Sequence, residues 1–322
     1  MAGHRRWLLG AIMTTAVTAC DPDDIADVGD IAERSAEANS FRLNSFRLNS
    51  FRLNGFRLNG LALDGFEGAD EYIRLTEIRL PNGPAVTQSW LVGSNLHVQT
   101  EYGAVLSGPQ LAGAEFLFEV TEGAQGKEGK RVKIGGVKPM ALLSDVWFYD
   151  LAIQDSGGPW QPLCVDGDNL ATTAILLGDV WDPETGDRVS PRPTGAITFA
   201  CRGAALAKCV EWGYPPWKSF LGTSLASYHQ TCTRAVRADY CGDGTPHTLD
   251  GVEFHVKDAL SIQIADLLTP YVVEAEWSPG GALCLNPDNT RLPDPTVACD
   301  LPTCNASLAN KSLIQTGTLL DP

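Results

Sequence analysis

Eight cysteines crowd the second half of this 322-residue chain, and they constrain its fold more than any other feature. They are Cys164, Cys201, Cys209, Cys232, Cys241, Cys284, Cys299 and Cys304, with a ninth, Cys20, standing alone near the start. An odd count in an exported chain needs an explanation, and setting Cys20 apart leaves enough for four disulfides. The spacing gives zinc little support, since no C-x-x-C pair occurs. No metal and no cofactor is expected. Eight cysteines allow roughly a hundred pairings, so connectivity is not readable from sequence. Local closure makes Cys232–Cys241 the first candidate.

The start of the chain accounts for the odd cysteine. His4, Arg5 and Arg6 form a basic n-region, and the apolar run from Trp7 to Val17 is too short to span a bilayer. Val17-Thr18-Ala19-Cys20 resembles the lipobox of bacterial lipoproteins. That resemblance implies removal of residues 1–19 and acylation of Cys20 on its thiol and new amino terminus. The competing reading is an ordinary signal peptide with a Cys at its cleavage site. Two or three acyl chains hold a protein stably on a membrane. No later stretch approaches the roughly eighteen apolar residues of a spanning helix. The expected place is the bacterial cell envelope, lipid-anchored and facing the periplasm or the exterior, with inner and outer membrane both open.

Charge narrows the partners. The formal net charge is −15, and loss of Arg5 and Arg6 with the signal leaves −17 for the mature chain. A broadly acidic surface argues against nucleic acid and against a basic patch for anionic lipid. The expected partner is the membrane through the lipid, with a protein or envelope polymer as a further possibility.

Residues 20–39 read as an acidic tether, with seven acidic residues against Arg34 alone. Residues 40–65 carry a five-residue repeat. Phe41-Arg42-Leu43-Asn44-Ser45 recurs from Phe46, Phe51 and Phe56, and Leu61-Ala62-Leu63-Asp64-Gly65 is a degenerate copy. A period of five fits neither a straight helix nor a flat strand. The tract resembles pentapeptide-repeat proteins, although it supplies little more than one coil. Its bulky Phe also departs from their preference, and a disordered or adhesive segment is the equal alternative.

Residues 66–200 read as β-rich. Short apolar runs at Tyr72–Leu80, Ser89–Gln99, Glu115–Val120, Arg131–Ile134, Asp145–Ile153 and Thr172–Val180 alternate with turn signals such as Pro81-Asn82-Gly83. Residues 201–322 should add one main helix. Trp217, Leu221, Leu225, Tyr228, Cys232 and Val236 recur at helical steps, with Gln230, Arg234 and Arg237 off that face. The tail from Cys284 reads as a Pro-rich loop tied down by Cys299 and Cys304. The expected class is a β-rich α+β fold: an antiparallel sandwich or open barrel, one main amphipathic helix, and disulfide staples.

The densest stretch runs from Lys208-Cys209-Val210-Glu211-Trp212-Gly213-Tyr214 through His229-Gln230-Thr231-Cys232 to Ala238-Asp239-Tyr240-Cys241-Gly242-Asp243-Gly244 and His247. It resembles the bacterial ADYC domain family, best over residues 195 to 285. The resemblance implies no established activity, so no catalytic residue follows from it. The residues themselves suggest a structural turn at Gly242-Asp243-Gly244, with Asp239 capping a helix end or pairing with Arg234 or Arg237, and Tyr240 packed with its hydroxyl bonded. Cys232 and Cys241 would clamp that turn.

Two functions remain in contention. One is a non-enzymatic envelope protein that binds or builds. The other is an envelope hydrolase or metal-dependent enzyme using His229, Asp239 and His247, whose histidines would need a carboxylate to set their tautomers. Asp243, Asp250, Glu253 and His255 are weaker metal candidates, and their spacing is not that of an EF-hand loop. Gly222-Thr223-Ser224-Leu225-Ala226 lacks the final glycine of a hydrolase elbow.

Overall fold

The computed structural model describes residues 71–319 apart from 82, 123–126, 155–156, 167–169, 183–184, 193–196, 249–251, 265–269, 294 and 306–310. The signal peptide, Cys20, the acidic tether, the pentads and Asp250 lie outside the described residues.

Strands β1 (Glu71–Arg79), β2 (Val86–Val92), β3 (Asn95–Thr100), β4 (Val105–Ser107), β5 (Glu115–Glu122), β6 (Lys127–Pro139), β7 (Trp147–Gln154), β8 (Gln161–Pro162), β9 (Ala174–Leu177) and β10 (Thr198–Cys201) form two antiparallel sheets. The larger has the order β1-β5-β6-β7-β9-β10, with β8 on β7, and β2-β3-β4 forms a smaller layer. Alternation drives their packing. Leu96 and Val98 of β3 face Phe116, Phe118, Val132, Ile134 and Tyr149 in one core, while His97, Lys133 and other intervening residues stay wetter. Tyr149 ties the layers: its hydroxyl accepts from Leu96 N (2.8 Å) and donates to Ser94 O (3.1 Å). The run expected as one strand from Ser89 to Gln99 is split into β2 and β3 by a turn at Gly93, where φ is +63°.

Strands β9 and β10 are buried at every position because both their faces are covered. Ala174, Leu176 and Phe199 join the sandwich core. Ile175, Leu177 and Ala200 meet Leu206, Ala207 and Val210 of a short helix, Ala205–Glu211, on the other side.

A hairpin of β11 (Ser219–Phe220) and β12 (Thr223–Ser224) leads into a longer helix, Ala226–Arg237. The helix expected from Trp217 therefore starts nine residues later. Leu221 and Gly222 sit at φ +48° and +81°, a backbone region that no right-handed helix can include. Trp217 instead donates to Asp145 Oδ2 (2.5 Å). The expected single helix is thus joined by a second, short one. Beyond them, β13 (His255–Asp258), β14 (Tyr271–Ser278), β15 (Gly281–Leu285) and β16 (Ile314–Leu319) form an antiparallel sheet in the order β13-β16-β14-β15. The tail expected as loop thus ends in an interior strand, because β13 and β14 leave a slot that the alternating Ile314, Thr316 and Thr318 can pair into.

All eight late cysteines are paired, as Cys164–Cys201, Cys209–Cys232, Cys241–Cys299 and Cys284–Cys304. The expected Cys232–Cys241 pair is corrected. Cys232 lies on the helix face that meets the short helix, and the left-handed turn at Ala238 carries Cys241 away to the C-terminal loop. The result is an open, disulfide-stapled antiparallel sandwich with no closed barrel. Disulfides of this number belong to an oxidising, non-cytoplasmic compartment. Among the described residues no helix is long and apolar enough to cross a membrane.

Candidate functional site

The long helix is buried almost all round. Tyr228, Ala235 and Val236 share a core with Trp277 and Ile314 of the four-stranded sheet, and Cys232 meets the short helix through Cys209. The face that periodicity assigned to polar residues is covered as well. Gln230 accepts from Trp181 Nε1 (2.8 Å) and donates to Gly186 O (2.9 Å). Arg234 reaches Thr185 O, Pro279 O, Asp187 and Asp239. A covered polar face needs partners for the donors it buries, and loop carbonyls and carboxylates supply them to Gln230 and Arg234.

At the end of this helix Ala238 takes a left-handed conformation, φ +50° and ψ +41°. That reversal lets Asp239 N donate to Arg234 O (3.0 Å) and turns the Asp239 carboxylate back onto the Arg234 guanidinium. The same carboxylate accepts from Gly244 N (3.1 Å). Tyr240 stacks on Trp277 at 5.4 Å and donates to Glu274 Oε1 (2.7 Å). Glu274 also holds Arg291 Nε (2.9 Å) and Nη2 (2.5 Å) and accepts from Thr316 (2.7 Å). Burial pushes the Glu274 carboxyl up, but Arg291 and these donors outweigh it and hold the group below the usual carboxylate value. Arg291 also lies 3.8 Å over the Phe254 ring. Gly242 is needed for close approach: any side chain there would collide with Gly280 O.

A model of the ADYC domain matches residues 108–291, more than half of the chain. The chain belongs to the ADYC domain family. The match takes in β5 to β10 of the larger sheet, both helices and β13 to β15 as well as the motif, so it is wider than the 195–285 stretch that carried the resemblance, and it closes on Arg291. No curated protein and no solved structure matches the chain.

The ADYC residues are structural in their contacts, and the three candidate catalytic residues do not meet in an open pocket. His229 is fully buried; its Nε2 donates to Leu206 O (3.1 Å), its ring packs on Trp181 at 5.3 Å, and Nδ1 has no partner. Burial pushes its pKa down to about 4, so the ring is neutral. Asp239 is committed to Arg234 and Gly244. His247 bridges Ala238 O and Thr296 O, each at 3.0 Å, and leans on Tyr240. Asp243 accepts from Thr245 N (2.9 Å) in the turn. His255 stacks on Tyr271 at 4.9 Å. Among the described residues no group of three or more metal-ligating side chains forms.

Near the Arg234–Asp239 pair lies a cleft of about 540 Å³. One wall is the segment Asp187 to Arg192, another the first turn of the long helix at Ala226 and Ser227, and the third the Pro279-Gly280 turn. Asp187 is held by Arg234, and Pro279 O accepts from the same guanidinium, so one buried side chain positions two walls. Sequence reasoning passed over Arg188 and Arg192. The only signal for them was their position just past the Thr185-Gly186-Asp187 turn, and nothing local revealed that the long helix would lie opposite.

Proposed function

We propose that this ADYC protein is exported and lipid-anchored in the bacterial cell envelope, where it binds a ligand or partner and performs no turnover. The observation that carries this reading is the commitment of the family motif. Asp239, Tyr240 and Cys241 each spend their chemistry on the fold, and the Arg234 that Asp239 pairs with holds two walls of a cleft in place. Groups so engaged are poorly placed to move protons, whereas a fixed cleft of this size suits recognition. The lipobox, the acidic surface and the four disulfides support the envelope setting. The hydrolase alternative lacks such support, since a substrate cannot reach a fully buried His229.

Mass spectrometry of the mature protein tests the setting. An acylated peptide beginning at Cys20 is expected, with a gain of eight protons when Cys164, Cys201, Cys209, Cys232, Cys241, Cys284, Cys299 and Cys304 are reduced. Cys20→Ser should move the protein from the membrane fraction to the soluble one. A mature Cys20 without lipid, or a variant still in the membrane, would remove the anchor from the proposal.

A further inference from the structure

The cleft is lined by charges of both signs. Arg234 and Asp239 are both essentially inaccessible and neutralise each other in the interior. Arg188 Nη2 lies 2.8 Å and Arg192 Nε 3.8 Å from the same atom, Asp179 Oδ1. Two guanidiniums thus share one carboxylate oxygen, and that carboxylate is 93% buried while Arg192 is 54% exposed. Arg192 lies against Gly178, where any side chain would displace it. Asp187, next to Arg188 on the same segment, is 62% exposed, with Oδ1 on Arg234. The segment Asp187 to Arg192 therefore brings two guanidiniums and one accessible carboxylate to the same cleft. A simple anion would meet Asp187, and a simple cation would meet two guanidiniums.

We propose that this cleft binds a small zwitterion, its anionic group taken by Arg188 and Arg192 and its ammonium by Asp187. Guanidiniums grip carboxylate and phosphate oxygens through paired N–H donors, which suits either anionic group. The cleft volume lies within the range of small-molecule sites. The exposed Ser190 and Ser227 add hydroxyls at its rim. This inference rests on reading the chain as a binding protein and names the ligand class for the same cleft. The shared chemistry has two sources in an envelope: a free amino acid or short peptide, and a lipid headgroup bearing phosphate and amine.

Calorimetric titration of the purified full chain with glycylglycine and, separately, with phosphoethanolamine distinguishes the sources. At least one is expected to bind. N-acetylglycylglycine, which keeps only the anion, and glycinamide, which keeps only the cation, are expected to bind about tenfold more weakly. Arg192→Gln, at an exposed side chain, should fold normally by thermal melting and weaken the zwitterion about tenfold. Binding of glycylglycine alone assigns the peptide source, and of phosphoethanolamine alone the headgroup source. The proposal is overturned if neither binds, if a blocked analogue binds equally well, or if Arg192→Gln changes nothing. None of these results depends on Cys20 acylation. Conversely, conversion of a bound probe to product would defeat the non-enzymatic reading and leave the cleft standing.

Discussion

The ADYC motif concentrates its cost and its benefit in a few buried charged side chains. Arg291 and Glu274 are both inaccessible, so removing one partner strands the other in a low-dielectric interior. Glu274→Gln should lower unfolding stability by about 3–5 kcal/mol in urea titrations followed by tryptophan fluorescence. Tyr240→Phe removes a neutral donor from the same carboxylate and should cost only about 1–2 kcal/mol. If both variants lose equal stability, the ion pair is not what holds the turn. His229 gives a pH dependence. Its folded pKa is about 4, below the unfolded value of about 6.5, so the folded state favours the neutral ring. Its contribution is therefore complete above pH 6.5 and is lost as pH falls toward 4, roughly 3 kcal/mol in all. Urea midpoints from pH 7 to 4 should show this decline, and His229→Gln should flatten it. A variant as pH-sensitive as the wild type would place the acid sensitivity elsewhere.

Elements were legible in the sequence where a local pattern sufficed. The expected runs at Tyr72–Leu80 and Glu115–Val120 match β1 and β5 closely, because alternation over a half-covered face is a local signal. The apolar face of the long helix was readable for the same reason. Its start was not, because Leu221 looks like a helical contact until its positive φ is known. The burial of its polar face was not readable because the covering groups, Gly186, Asp187 and Pro279, lie more than forty residues away. The disulfide between Cys209 and Cys232 joins the two helices across a 23-residue separation. Replacing both cysteines with Ala should cost roughly 3 kcal/mol of stability, measurable as a lower melting temperature. An unchanged melting temperature would mean that packing alone sets the helix pair.

At the scale of the whole molecule, the last described strand is an inner one. β16 lies between β13 and β14, so the second sheet cannot close until nearly all of the chain is available. Removal of residues 314–319 should therefore abolish the folded state of that sheet, where a trailing loop would be dispensable. The cleft could not have been read from sequence for a related reason: its walls come from three segments spread between residues 187 and 280. Only the fold brings them together.

The bonds Cys241–Cys299 and Cys284–Cys304 overlap along the chain, each beginning inside or before the other ends. A single backbone cut anywhere between residues 241 and 304 therefore leaves at least one covalent link across it. Such a nick should leave the mass of the non-reduced protein in one piece and release a fragment only after reduction. In a compartment shared with proteases, an ADYC protein can be scarred within this stretch and still retain the strand at its end.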